Sequence, residues 1–590
     1  MPDKHLLILD GGMGTMLQQA GMPQGVRPEI YGADHPEVVL GIHKQYIDAG
    51  SDIIYANTFG ANAHNLAGTG RSVKDIVAAN VRTAKEASGK AREPFGRVRV
   101  ALDIGPLGML TEPLGTLSFE EAYDMFAEIA EAGSAAGADL AVIETMTDLQ
   151  EARAALLAVK EHTDLPVWVT MSFEENGRTF TGTTISAMAL TLEGLGAAAV
   201  GINCSLGPVE TAPLFKELSE WTDLPIIIKP NAGLPDPATG NYAMKAPDFA
   251  EAMKEYGESD RIFALGGCCG TTPDFIRELT SALKTFDAAH KEKAVTRRRN
   301  GISGPGRTAE FNGIRVIGER INPTGKKLFR QAILDNDMNY IMKQAADQED
   351  AGADILDINV GVPGVNEAEM MVKVIKAVQS VSSLPLQIDS SDPGAIEAGL
   401  RICCGRAMVN SVNGEDNKLH SILPIVKKYG AAVIGLTIDE EGIPETADKR
   451  LKIAEKIVKT AGEYGIRSGD VIIDCLTLTV SAQQDQAMET LDAVAMVKDR
   501  LNTHQTLGVS NISFGLPDRN VITGAFLAAA LSRGVDLPII NPNIKEIMDT
   551  VTAFRVLKGE DEGCASYIER FTKVRTMEEP LKVQLPDIDE

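Results

Sequence analysis

The chain has 590 residues, 44% hydrophobic and 24% charged, with a formal net charge of -25. That length suits two domains of barrel size, the apolar fraction excludes a disordered chain, and the acidic balance excludes a nucleic-acid binder, whose phosphate contacts need a basic face. No run reaches the roughly 18 to 20 apolar residues of a membrane helix, no signal-peptide pattern follows Met1, and seven cysteines, an odd number, fit reduced thiols, so a cytoplasmic protein with no membrane partner is expected.

In the first half one unit recurs: a short apolar run, a Gly- or Asn-rich turn, then a helical pattern. The runs fall at 6–10, 52–57, 98–103, 139–144, 167–171, 198–202, 225–229 and 261–265. They are continuously apolar rather than alternating, as parallel strands covered on both faces are, and helical segments such as 119–136 lie between them. Eight such units predict a closed (β/α)8 barrel over residues 1–290, with its chemistry at the carboxyl ends of the strands.

Cys204 closes the sixth run, and Cys268 with Cys269 follows the eighth, inside Gly266-Gly267-Cys268-Cys269-Gly270. Adjacent cysteines pair with each other only through a strained ring, so thiolates aimed at one soft cation are the better reading. Three of them leave the fourth position of a tetrahedral zinc open, which marks a catalytic rather than a structural site. Asp10, Glu144 and Asn231 end the first, fourth and seventh runs on the same rim. Asp103 and Asn57, taken singly, read better as strand ends bonded to loop backbone. Cys403 and Cys404 form a second adjacent pair, but without glycines before them or a third cysteine in a matching loop, and read as buried thiols.

Between about 286 and 311 the periodicity disappears, and residues 291–311 are expected to form a solvated linker, first charged (Arg297-Arg298-Arg299), then Gly/Pro-containing. A second set of eight runs follows at 316–319, 354–359, 386–389, 407–410, 432–437, 471–474, 506–511 and 537–541. These predict a second barrel over 312–590, ending in a short acidic tail, so the fold class is α/β with two TIM barrels in tandem. Almost every run of this set ends in Asn, Asp or Glu. A floor of carboxylates and carboxamides suits a flat heterocycle with several hydrogen-bond donors and acceptors, as a pterin is.

Residues 1 to about 290 resemble the zinc-dependent homocysteine S-methyltransferase barrel through LLILDGGMGTML (6–17), GINCSLGP (201–208) and GGCCGTTP (266–273). Residues from about 312 to 575 resemble the pterin-binding methyltransferase barrel through GERINPTG (318–325), DINVG (357–361), IDSSDP (388–393), NSVNGE (410–415) and GVSNISFGLP (508–517). The pair, in that order, is similar to the amino-terminal half of the cobalamin-dependent methionine synthase family. The resemblance implies that Cys204, Cys268 and Cys269 hold zinc, with homocysteine's sulfur entering the fourth position. Asp10, Gly11, Gly12 and Glu144 would meet its amino and carboxyl groups, and Asn231 would fill or border the open zinc position. In the second barrel it implies that Asp389, Asn410 and Asp474 bind the ring of 5-methyltetrahydrofolate, with Glu319, Asn322 and Asp357 nearby. Asn511 and Asp474 would serve methyl transfer from the ring nitrogen, and Arg519 would hold the charged tail.

Cobalamin would carry the methyl group between the rims. The family's Asp-x-His-x-x-Gly cobalamin motif does not occur here, so the expectation is a fragment of a longer enzyme or a chain served by a separate corrinoid protein. Two other readings are a homocysteine methyltransferase using a non-folate donor and a corrinoid-protein docking scaffold.

Overall fold

Runs of Ile, Val, Leu and Ala too short to bury themselves as helices become parallel strands in the computed structural model, which describes residues 6–89, 91–92, 96–234, 242–283 and 299–578. In the first half, Leu7–Ile8 pairs with Ile262–Leu265, and the sheet then runs through Ile226–Lys229, Ala199–Asn203, Val167–Met171, Leu140–Met146, Arg99–Ile104 and Ile53–Tyr55. A parallel bridge between Leu9 and Ile53 joins its two edges, so the sheet closes on itself. The second half is a closed barrel of Ile317–Ile321, Ile355–Ile358, Leu386–Asp389, Met408–Asn413, Ala432–Leu436, Val471–Asp474, His504–Gly508 and Leu537–Ile540.

Two apolar layers hold each barrel. Leu9, Ile53, Ala101, Val142, Trp168 and Ile227 pack inside the first, while the larger core lies between strands and helices. The helices begin where capping chemistry allows. Phe119–Ala135, for instance, starts at Ser118, whose hydroxyl accepts from the Glu121 amide while the Glu121 carboxylate accepts from the Ser118 amide. No described helix is long and apolar enough to cross a membrane.

Two segments depart from the sequence-based expectation. Residues 284–298, most of the charged part of the expected linker, lie outside the described residues, as does the tail from 579 onward. The Gly/Pro part is not a solvated tether. Gly301–Ser303 and Thr308–Glu310 form an antiparallel hairpin whose Ile302 and Ala309, with the adjoining Phe311, join Ile317, Ile355, Met408, Ala432 and Leu537 in one buried cluster. Those partners begin their strands, so the hairpin plugs the amino-terminal mouth of the second barrel. The seventh strand of that barrel also ends early, at Gly508, and Val509–Ser513 forms a 3-10 turn. Asn511 is therefore exposed on a turn at the rim and does not end a strand.

The barrels share a built interface. Helix Leu149–His162 of the first abuts the carboxyl end of helix Pro393–Ile402 of the second. There Arg153, 1% exposed, donates to Leu400 O at 2.9 Å and Gln150 donates to Ile402 O at 2.6 Å. These groups take up carbonyls that a helix end leaves open, and the guanidinium meets the negative end of the helix dipole. Arg467 pairs with Glu193 at 2.8 Å and Asp223 at 3.1 Å. The hairpin contributes too, through Ser303 to Thr191 and Thr308 to Ser186, each at 3.0 Å.

Candidate functional site

The sixth strand of the first barrel stops abruptly because Cys204 and Ser205 both adopt left-handed backbone, with φ of 59° and 55°. Asn203 anchors the stop from below: its carboxamide oxygen accepts from the Thr145 amide and the Thr170 hydroxyl, both at 2.8 Å. After the eighth strand the chain turns through Gly266 and Gly267. A Cβ on Gly267 would lie 2.5 Å from the Thr271 hydroxyl, which itself donates to Cys268 O at 2.7 Å, so only glycine allows this close return. The outcome is three sulfurs within 4.8 Å of one another, those of Cys204, Cys268 and Cys269, with Cys204 and Cys269 3.8 Å apart.

The spacing fits a metal. Thiolates about 2.3 Å from a tetrahedral zinc stand about 3.8 Å from each other. The thiols are electrically coupled: hydrogen bonds from Cys204 and Cys268 pull Cys269 down to about 3, while the same sharing pushes Cys204 far up. A divalent cation bound there would replace the shared protons with its own charge.

Beneath the sulfurs lies a buried ionic floor. Asp10 accepts from the Tyr55 amide at 2.7 Å with one oxygen, and its other oxygen has no hydrogen-bond partner among the described residues. Glu144 likewise has one unpartnered buried oxygen. Burial pushes both acids up to about 7, although the nearby Lys229 opposes the shift. Burial disfavours the Lys229 charge in turn, but Glu144 and Asp10 outweigh it and hold that group above its ordinary value.

One expected role changes here. The Gly12 amide, expected to meet a substrate carboxylate, instead donates to Thr271, to the carbonyl at 3.3 Å and the hydroxyl at 3.2 Å. Its neighbour Gly11 is buried beside Tyr46 and Thr271. Asn231, expected to fill or border the open metal position, accepts from the Cys269 amide at 3.1 Å and so lies against the ligand loop. Three residues were not singled out from the sequence. Tyr242 hydrogen-bonds to Cys269, and Lys229 and Tyr55 complete the floor. The signal for Lys229 was present in Ile226-Ile227-Ile228-Lys229-Pro230: a cation at the inner end of an apolar strand has to find anionic partners.

In the second barrel the expected acids do converge. Asp357 is buried and accepts from Gln387 at 2.6 Å; Asn322 reaches Asp389 at 3.4 Å; and Asp389 also hydrogen-bonds to Asn359. Asn410 stands beside them on the next strand, its carbonyl accepting from the Ser390 amide at 2.9 Å. Asp474 is held by the amides of Leu476, at 2.7 Å, and Gly508. Glu319 bonds to Ser510, next to Asn511. Burial pushes Asp389 and Asp474 up to about 6 and raises Asp357 and Glu319 as well. Lys326 is the nearby cation, and its ammonium donates to Glu319 O at 2.8 Å. A rim so rich in acceptors suits a ring that presents N–H groups. Arg519 departs from expectation. Its guanidinium donates to Ser510 O at 2.7 Å and Ser513 Oγ at 3.0 Å and stacks 4.4 Å from the Phe514 ring centre, so it braces the Asn511 turn.

Residues 7–283 match the homocysteine S-methyltransferase family, and residues 318–541 match the pterin binding enzyme family. Each half of the chain is thus similar to one of these families. Methionine synthase of Mycobacterium leprae is 32% identical over 571 residues, and that of Mycobacterium tuberculosis is 31% identical over 566. Each alignment covers 91% of this chain and 47% of the relative, so the chain spans about half the length of the curated relatives it matches. The pair of domains and these relatives fit the amino-terminal half of a methionine synthase. A solved homocysteine methyltransferase from Escherichia coli, in its metallated form, aligns with 47% of this chain and 97% of its own at 23% identity, with a TM-score of 0.42.

Proposed function

We propose that the chain carries the two substrate sites of methionine synthesis by a corrinoid route. The second barrel gives up the methyl group of 5-methyltetrahydrofolate to a corrinoid carrier, and the first accepts it from that carrier onto homocysteine, yielding tetrahydrofolate and methionine. The carrier belongs to another module or protein and visits both rims. The observation that supports this most is the cluster of Cys204, Cys268 and Cys269 set above Asp10 and Glu144.

These three thiols fit zinc by spacing and softness. Bound there, zinc supplies the charge that keeps a fourth thiol ionised at neutral pH. The rest falls to the chain's own groups. Asp10 and Glu144 offer their unpartnered oxygens to the substrate's α-ammonium, which turns its sulfur toward the cysteines. Asn231 and Thr271 hold the Cys268-Cys269 loop so that the three sulfurs stay gathered.

In the second barrel, Asp389, Asn410 and Asp474 hold the pterin edge, with Glu319, Asn322 and Asp357 around it. A tertiary amine is a poor leaving group, so the ring nitrogen has to gain a proton as its methyl departs. The Asn511 carboxamide can accept a hydrogen bond from that protonated nitrogen without trapping the proton, and Asp474 fixes the ring beneath it.

Zinc analysis with K-edge absorption tests the reading. One zinc per chain with three sulfur neighbours, rising to four on addition of homocysteine, is expected. A sulfur count indifferent to homocysteine contradicts it.

A further inference from the structure

Asp474 is aimed by a backbone turn that is strained on its own. The sixth strand of the second barrel ends at Asp474, and Leu476, two residues on, has left-handed backbone with φ of 64°. A bulky residue keeps that conformation only where its surroundings hold it, and such positions gather at functional sites. Here the conformation turns the Leu476 amide back to donate to Asp474 Oδ1 at 2.7 Å. The carbonyl side of the same turn has to be fastened from elsewhere.

Arg450, a fully buried residue of helix Ala447–Glu463, does this. Its Nη1 donates to Cys475 O at 2.8 Å, to Leu476 O at 3.3 Å and to Thr490 Oγ1 at 2.7 Å. Nη2 donates to Gln486 Oε1 at 2.8 Å, and Nε to Pro444 O at 3.0 Å. Thr490 donates to Leu476 O as well, at 3.0 Å. One planar fork thus ties the turn after the sixth strand to the loop after the fifth and to helix Gln486–Leu501. All of these acceptors are neutral oxygens, so the buried charge is not spent on a close ion pair; the carboxylates it faces are Glu489 and Asp474. Burial pushes Asp474 up to about 6, and the Leu476 and Gly508 amides and the Arg450 charge oppose that shift. An apolar side chain would be less costly to bury but would leave the Cys475 carbonyl without this donor.

We propose that Arg450 is a positioning residue for the pterin site: by fixing the carbonyls of Cys475 and Leu476 it holds the left-handed turn that aims Asp474 at the ring, without touching the ligand itself. This inference rests on the reading above that Asp474 meets the pterin edge.

A double-substitution cycle, read by fluorescence titration with 5-methyltetrahydrofolate, tests it. Arg450→Met is expected to weaken binding at least about fivefold at pH 7 with Asp474 in place, and less than about twofold in the Asp474→Asn background. The pH at which affinity is half lost should also rise in Arg450→Met, which removes a cation and loosens an amide that both favour ionised Asp474. In the Asp474→Asn background Arg450→Met should leave the pH profile unmoved. An arginine that merely stabilises the barrel would lower resistance to urea and move neither readout. A smaller loss in Arg450→Met, a half-loss pH that does not rise, or a loss of about twofold or more in the Asp474→Asn background overturns the proposal. With Asp474→Asn itself still weakened, the pterin reading then stands. Wild-type affinity in Asp474→Asn removes that residue from the ring, and the inference falls with it. Should Arg450→Met not fold, a crystal structure of the wild type with 5-methyltetrahydrofolate decides the point. The ring on Asp474, with the Leu476 amide and the Arg450 fork in place, supports the proposal; a bound ring with the Leu476 turn released from Asp474 overturns it.

Discussion

The cysteines and the acids do separable work, and single substitutions should separate them. Cys269 is the exposed member of the sulfur cluster. Cys269→Ser replaces a soft ligand with a poor one, so zinc content measured by atomic emission should fall well below one per chain. Homocysteine methylation should drop at least about 100-fold, while folate binding stays unchanged. In the second barrel, Asp389 and Asp474 sit at about 6 because burial disfavours their charged forms. An ionised carboxylate accepts a ring N–H more strongly than the neutral acid does, so affinity for 5-methyltetrahydrofolate should be full above about pH 7 and fall as pH drops through 6. Fluorescence titration from pH 5 to 8 checks this, and a flat profile would remove both acids from the ring site. Asp474→Asn should weaken binding about 10- to 100-fold, the range of one charge-assisted hydrogen bond. The thiols were legible in the sequence because cysteine beside glycine at a strand end has few other uses. Gly12 was misjudged because its partner, Thr271, is a neighbour only after folding. Lys229 was overlooked because it was counted as the end of an apolar run.

At the scale of elements, sixteen strands were legible because each is a short apolar run, most of them ending in a polar residue, and parallel strands buried on both faces leave that imprint. The hairpin at 301–310 was not. Its apolar content is Ile302, Ala309 and the adjoining Phe311, spread around Gly304-Pro305-Gly306, which is too thin for any count of periodicity. Its burial comes from the mouth it fills. Phe311 is 3% exposed and stacks edge-on to His504 at 5.1 Å. Phe311→Ala should cost about 3 kcal/mol of stability, read by urea denaturation, whereas a tethering linker would lose almost nothing. The 509–513 turn was read as strand because Val509 and Ile512 are apolar, but it is fastened by Arg519. Arg519→Ala should loosen Asn511 and slow methyl transfer from the folate about tenfold, with folate affinity changed less than threefold. An affinity loss larger than the rate loss would return Arg519 to a role on the ligand's tail.

The molecule as a whole depends on how closely its two halves meet, and one position tests that closeness. Gly430 ends helix Asp416–Tyr429 with φ of 66°, and a Cβ built there would lie 2.0 Å from the Gly194 carbonyl carbon across the interface. Gly194 is the last residue of helix Ile185–Gly194 in the first barrel. The obstacle is backbone on both sides, so no rotamer change relieves it. Gly430→Ala therefore carries two costs, about 1 kcal/mol for a left-handed alanine and about 1 to 3 kcal/mol for overpacking. Gly559 separates them: its φ is 72°, and nothing lies within 4 Å of its would-be Cβ. Gly559→Ala should show the backbone cost alone. Relief in Gly430→Ala comes from parting the barrels, which exposes the buried guanidinium of Arg153 and the hairpin's bonds to Thr191 and Ser186. Calorimetry should then resolve two unfolding transitions in Gly430→Ala where the wild type and Gly559→Ala show one. Zinc content and folate affinity should stay near wild type, because each site lies within a single barrel. One unchanged transition in Gly430→Ala would mean that the barrels fold and melt without help from this contact.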